Sequence, residues 1–318
     1  LRDEIQLHDR LDLVDWLFSG KHPTTARVAV NKVWMRLFGQ PLVGTVQDVG
    51  SRGAQPTHPE LLDWMSAWWQ TDAQWSLKRL IKWIVMSDAY QQSSAHRPEL
   101  KRVDPDNRFL ARQNRFRVEA EIIRDISLQT AGLLNLHLGG PAVFPPIPDA
   151  VLNQSFTKYG GNSKGRDRYR RGIYTFFRRT AIDPNMMVFD CPDASASKAM
   201  RDRSNNALQA MTTLNNEVFL EAAQSWSAKL LQALPDATDD LRMDHTFQSA
   251  LGREPSAEEK AQLIQMLQEA RDWFQGHDKE AVEFLGPYAS NEMNPSEQAA
   301  WMTLLRLILN LDEFFTRE

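Results

Sequence analysis

One cysteine, Cys191, occurs in 318 residues. An internal disulfide is therefore excluded, the lone thiol says little about redox compartment, and a chain of this length can bury enough core to fold without a staple. No stretch approaches the roughly 18–20 consecutive apolar residues of a membrane-spanning helix. No basic segment followed by an apolar one opens the chain, so no signal peptide is read. The chain starts on Leu1, as expected of a fragment or a processed product, so an export signal or anchor could have preceded it. The seven histidines, His8, His22, His58, His96, His137, His245 and His277, lack the His-x-x-x-His spacing of a helical metal site, so no metal is expected. There is no Gly-x-Ser-x-Gly elbow, and Gly139-Gly140-Pro141 lacks the lysine and spacing of a phosphate loop. Zinc-finger, basic-zipper and RNA-binding aromatic signatures are missing too, which makes nucleic acid an unlikely partner.

What is present is ordinary globular composition, 42% hydrophobic and 25% charged. The length suits one large domain or two closely packed ones. A net charge of −4 conceals an uneven distribution. Residues 1–100 balance at 11 basic and 11 acidic side chains, residues 101–180 carry 15 against 7, and residues 181–318 carry 11 against 23. Either the basic middle neutralises the acidic tail internally, or it faces an anionic partner.

Apolar residues recur at helical spacing over most of the chain. Leu11, Val14, Leu17 and Phe18 predict a first amphipathic helix. Thr24 can cap a second, carrying Val30, Val33, Trp34 and Leu37 and stopped by Gly39. Thr57-His58-Pro59-Glu60 reads as a capping box before Leu61–Trp69, and Ser76 opens a helix to about Met86. Further helices are expected at 115–134, 206–234, 241–251 and 256–275, and from Pro295 to about Asn310. Residues 171–177 suggest a short strand or buried extended segment, and 183–204 an irregular one. The fold class is thus mainly α: packed helices around an irregular middle rich in Gly, Pro and Arg. We divide it into an N-terminal helical part (1–134), a loop-rich basic segment (135–205) and an acidic helical part (206–318), together forming one composite domain.

Arginine is the most informative residue. Arg112, Arg115, Arg117, Arg124, Arg168, Arg170, Arg171, Arg178 and Arg179 cluster within the basic middle. Guanidinium forks match carboxylate, sulfate and phosphate oxygens, so all of these except Arg124 are candidate ligand-binding residues. Against that, helical spacing would pair Arg115 with Glu119, Arg117 with Glu121 and Arg124 with Glu121. Asp190 and Asp193 are candidate acid/base residues beside the basic segment, because glycoside hydrolysis needs two carboxyl groups. Asp183 is a further candidate. Asp in such positions more often caps a turn. Of the ten tryptophans, Trp64, Trp68 and Trp83 fall on helical stripes and are expected in a core or an interdomain contact. Trp69 and Trp75 are expected nearer the surface.

Several segments resemble one family. Thr25-Ala-Arg-Val-Ala-Val-Asn-Lys-Val-Trp34, Phe38-Gly39 and Pro56-Thr-His-Pro-Glu-Leu-Leu-Asp-Trp64 are similar to the C-terminal domain of unknown function of planctomycete cytochrome-c-like surface proteins. Asp104–Arg108, Arg117–Asp125, Gly139–Pro141, Tyr169–Arg171, Phe189-Asp190 and Leu309–Phe314 extend the likeness in order. After Asp193 the pattern departs: Ser197 stands where relatives carry Cys, Met200-Arg201 near their Arg pair, and Ser204–Gln209 near a Thr-Asn-Thr-Pro-Leu-Gln segment. The resemblance implies an exported protein, periplasmic or at the cell surface, in which this domain follows a haem-bearing N-terminal region. This chain has no Cys-x-x-Cys-His, so no cofactor is expected in it and haem would belong to that region. The favoured expectation is an extracytoplasmic interaction domain binding the rest of its parent chain, an anionic polysaccharide or an acidic protein. The alternatives are a polysaccharide hydrolase using loop carboxylates, and a structural scaffold for the haem domain.

Overall fold

Helices form where the apolar spacing and capping residues agree. The computed structural model describes residues 8–20, 22–147, 161–179, 182–290 and 292–317. Residues 148–160, 180 and 181 of the expected loop-rich segment lie outside them. Among the described residues there are thirteen α-helices, and the named strands are the paired two-residue stretches Phe116–Arg117 and Thr316–Arg317. The mainly α expectation holds. No described helix is long and apolar enough to cross a membrane.

The chain divides into two units, residues 1–116 with 317–318, and residues 117–316. In the first, the helices Thr25–Phe38, Pro59–Gln70 and Leu77–Val85 enclose a core of Val30, Phe38, Leu62, Met65, Leu80 and Ile84. Gly39 ends the first of these at φ +77°, a left-handed conformation that an L side chain rarely adopts. Asn31, 1% exposed, fastens the loop that follows: its Oδ1 accepts from the Val43 amide at 3.0 Å, and its Nδ2 donates to the Val43 carbonyl at 3.2 Å. The expected capping box at Thr57–Glu60 is not formed. His58 occupies the N-cap without a side-chain bond, and Pro59, which has no amide to satisfy, occupies the first turn. The helix Arg10–Phe18 forms as the spacing predicts and is capped by Asp9, yet it buries none of its residues.

Trp69 is buried where surface was expected and Trp64 and Trp83 lie outside the core, whereas Trp68 packs partly buried against it, as expected. Leu62, Met65, Ser66 and Trp69 form the buried stripe of Pro59–Gln70, while Trp64 is 47% and Trp83 37% exposed. Adjacent indoles at 68 and 69 make two stripes, one residue out of phase, almost equally apolar. Packing selected the second.

The second unit is built on the helices Glu217–Ala233, Ala257–Phe274, Asp278–Leu285 and Pro295–Ile308. Trp301, fully buried, sits among Trp226, Phe247, Leu267, Leu285 and Leu305. The helix expected over 206–234 is two, Ala207–Asn215 and Glu217–Ala233, because Asn216 is extended and its side chain caps the second. The helix expected over 115–134 is shortened to Ala120–Thr130, since Phe116 and Arg117 are used as strand. Instead of a strand over 171–177 there is a 3-10 turn, Gly172–Tyr174, with a single bridge pairing Thr175 to Val143. Gly172 is required by close approach: a Cβ there would lie 2.5 Å from the Glu121 carbonyl oxygen.

Candidate functional site

The arginines proposed as ligand groups are mostly occupied with the fold. Arg168 donates to Glu217 at 2.6 Å and to Glu221 at 2.9 Å, so basic middle and acidic tail do meet here. Glu221 is completed by the hydroxyls of Tyr169 at 2.6 Å and Tyr288 at 3.2 Å. Burial, together with that carboxylate, raises the pKa of both phenols. Arg171 pairs with Asp125 at 3.1 Å, and the same carboxylate accepts from the Gly172 amide at 2.6 Å. Arg170, 2% exposed, lies 3.8 Å over the Tyr174 ring. It donates to the carbonyls of Pro141 at 3.0 Å, His137 at 3.2 Å and Gly139. The Gly139–Pro141 loop thus presents carbonyls to a cation, and the Gly139 amide is taken by the Tyr174 hydroxyl at 2.8 Å.

The expected pairs of Glu121 with Arg117 and Arg124 are replaced. Arg117 bonds Asp190, and Glu121 bonds Arg201 at 2.6 and 3.0 Å, because the helix starts only at Ala120. Arg178 lies 5.7 Å from the Phe176 ring, while Arg112 is half-buried and Arg115 and Arg179 are exposed. Buried Arg124 donates to the Arg168 carbonyl at 2.6 Å. Desolvation lowers its pKa to about 10, which still leaves it charged at neutral pH. It shares a space of about 20 Å³, room for one water, with Asp183.

The candidate carboxylates are likewise engaged. Asp183 is buried and caps Pro184–Val188, accepting from the amides of Asn185 and Met186. Burial raises its pKa. Asp193 is exposed and accepts from the amide and hydroxyl of Ser195, which lowers its pKa. Asp190 accepts from the Ser204 amide at 2.7 Å, from the Ser204 hydroxyl and from Arg117. Its backbone is held at φ +62°, strained for a residue other than glycine. That strain and those bonds fix one oxygen face toward Arg117.

Beside this pair opens a cleft of about 190 Å³. Arg117 forms part of its wall, stacked 5.5 Å from the Phe189 ring. Its Nε and Nη1 are buried and hydrogen-bond to nothing among the described residues. Asn205 just before Ala207–Asn215, Gln209 in its first turn and Thr213 in its last face the cleft, and so do Asn310 and Asp312 from the chain after the last long helix. Gln209 is oriented by bonds to the Val188 carbonyl at 2.9 Å and the Ser204 hydroxyl at 3.0 Å, and Thr213 donates to Asn310. Desolvation lowers the Arg117 pKa, opposed by the charges of Asp190 and Asp312. The cleft therefore combines one guanidinium, offset by two carboxylates, with three amides and a hydroxyl. Of these, sequence reasoning singled out only Arg117 and Asp190. Asn205, Gln209, Asn310 and Asp312 stand in the Ser204–Gln209 and Leu309–Phe314 segments, which were noted only for their resemblance, and Thr213 lies outside both. Among the described residues no three His, Cys, Asp or Glu side chains are grouped to hold a metal.

These features define a mainly helical protein of two units with a polar cleft in the second. The chain belongs to the family described as protein of unknown function (DUF1553), whose model matches residues 9–267. Asn310 and Asp312 lie beyond the matched stretch. No curated protein and no solved structure matches the chain.

Proposed function

We propose that this chain is an extracytoplasmic, noncatalytic binding domain of a larger cytochrome-like protein, and that the Arg117 cleft takes a sugar unit of a polysaccharide. The observation that carries this reading is the cleft's mixture of donors and acceptors around an arginine whose Nε and Nη1 are buried and find no hydrogen-bond partner among the described residues. Sugar hydroxyls both donate and accept, and such a set matches them in either role. With Asp190 and Asp312 beside Arg117, the local charge is offset, which favours a neutral sugar over a free anion. The hydrolase reading loses its support because Asp190 and Asp193 are both committed as acceptors, and Asp193 is held ionised by its bonds to Ser195. A general acid needs the opposite, a carboxyl held protonated near neutral pH.

The test is calorimetric titration of the chain with neutral monosaccharides and short oligosaccharides, alongside sulfate and glucuronate. Asn205 makes no side-chain hydrogen bond among the described residues, so Asn205→Ala should leave stability unchanged and weaken binding about tenfold, the equivalent of about 1.4 kcal/mol. Arg117→Lys should weaken it more, since a single ammonium cannot present the fork. Release of reducing ends that depends on Asp190 would replace this reading with catalysis.

A further inference from the structure

The first unit carries an unassigned surface site. Trp64, Trp68 and Trp83 form one indole cluster, with centroids 6.0 Å apart for 64 and 68, 4.9 Å for 64 and 83, and 5.9 Å for 68 and 83. The first two rings are nearly parallel, 12° apart, and Trp83 is tilted by about 40° against both. The cluster arises because Trp64 and Trp68 are one turn apart on Pro59–Gln70, while Trp83 projects from Leu77–Val85. A groove runs beside it, lined by Trp68, Trp83, Arg79, Lys82, Met86 and Ser87. Arg79 lies 6.0 Å over the Trp68 ring and is held by the Asp72 carbonyl. Lys82 makes no ion pair among the described residues, and no carboxylate lines the groove.

We propose that this groove binds an acidic polysaccharide, a polymer of uronate or sulfated sugars. Indole faces are electron-rich and rigid, so they receive the C–H face of a pyranose at little entropic cost. In the groove, half-buried Trp68 and exposed Trp83, tilted 39° against each other, would hold consecutive sugars of a twisted chain. The cations select for charge: Arg79 and Lys82 border the rings on one side, where a carboxylate or sulfate on a seated sugar would lie. Exposed tryptophan is costly to solubility, and a mixed aromatic and cationic groove matches an amphiphilic anion better than a purely apolar partner. The proposal stands on the first unit alone and does not require the Arg117 cleft.

Affinity electrophoresis of the full chain through gels containing polygalacturonate, chondroitin sulfate or neutral dextran provides the test. Retardation that depends on Trp83 is expected in the two acidic polymers and not in dextran, where any retention would belong to the Arg117 cleft and survive Trp83→Ala. Trp83→Ala should reduce retention at least tenfold. The double variant Arg79→Gln, Lys82→Gln should reduce it several-fold, with the remainder insensitive to salt. The loss on Trp83→Ala, and not the total retention, reads this groove, because the Arg117 cleft can add retention of its own. Trp83-dependent retention as strong in dextran as in the acidic polymers, or acidic-polymer retention undiminished by Trp83→Ala, would overturn the proposal. So would absence of retention together with concentration-dependent self-association that Trp83→Ala abolishes, because the groove would then face a second copy of this chain.

Discussion

Replacing Arg170 by Met tests whether the arginine cluster builds the fold or serves a ligand. Arg170 is 2% exposed, donates to three carbonyls and stacks on Tyr174. A hydrogen bond from a charged donor contributes about 1.5–3 kcal/mol, and a desolvated cation–π contact about 2 kcal/mol. The sum overstates the loss, because His137 and Gly139 lie at the surface and their carbonyls can take up water. Methionine also removes the burden of a buried charge while filling similar volume. We therefore expect Arg170→Met to destabilise the second unit by about 2–4 kcal/mol. Arg170→Lys should recover only part of this, since one ammonium cannot span carbonyls spread over residues 137–141. Urea unfolding, combined with hydrogen-exchange mass spectrometry of peptides spanning 133–143 and 166–176, separates this unit from the first. An Arg170→Met protein within 0.5 kcal/mol of the wild type, with unchanged protection in those peptides, would refute the structural role.

Two further outcomes follow from the same physics. In the first unit, Asn31→Ala leaves the Val43 amide and carbonyl without their buried partner and should cost about 2–3 kcal/mol in urea unfolding. A change below 0.5 kcal/mol would show that water replaces it. In the second unit, Glu259 bonds Arg253 at 2.7 and 2.9 Å and caps its helix through Ser256, which lowers its pKa from 4.5 to about 2. A carboxyl depressed in the folded state stabilises it fully above pH 4.5 and loses that contribution as pH falls toward 2. Glu259→Gln should therefore flatten the decline in melting temperature between pH 5 and 3; an unchanged slope would place the acid sensitivity elsewhere.

Much of the helical frame was legible because its signals are local. Gly39, Ser76 and Pro295 each mark a terminus by backbone chemistry that needs no tertiary information. The errors arose where distant segments compete. The helix expected from Arg115 gives up its first turn because Phe116 and Arg117 pair with residues 316 and 317. The phase of Pro59–Gln70 turns on which of two adjacent tryptophans fits the core. The arginine cluster was visible as composition, but its partners lie 46 to 73 residues away: Asp125 for Arg171, Glu217 and Glu221 for Arg168, Asp190 for Arg117. Short-range charge rules cannot see such pairs. The cleft was illegible for a related reason, since neutral amides acquire meaning only once Arg117, Gln209 and Asn310 are brought together.

The most direct measurement is nitrogen-15 NMR of the arginine side chains during titration with the sugar that binds best by calorimetry. The Nε–H resonances of Arg168 and Arg171, already bonded to carboxylates, should stay in place. That of Arg117 should shift saturably, and Asn205→Ala should weaken the response. Shifts confined to Arg178 and Arg179, or a titration in which Arg117 never moves, would contradict the assignment of the cleft as the binding site.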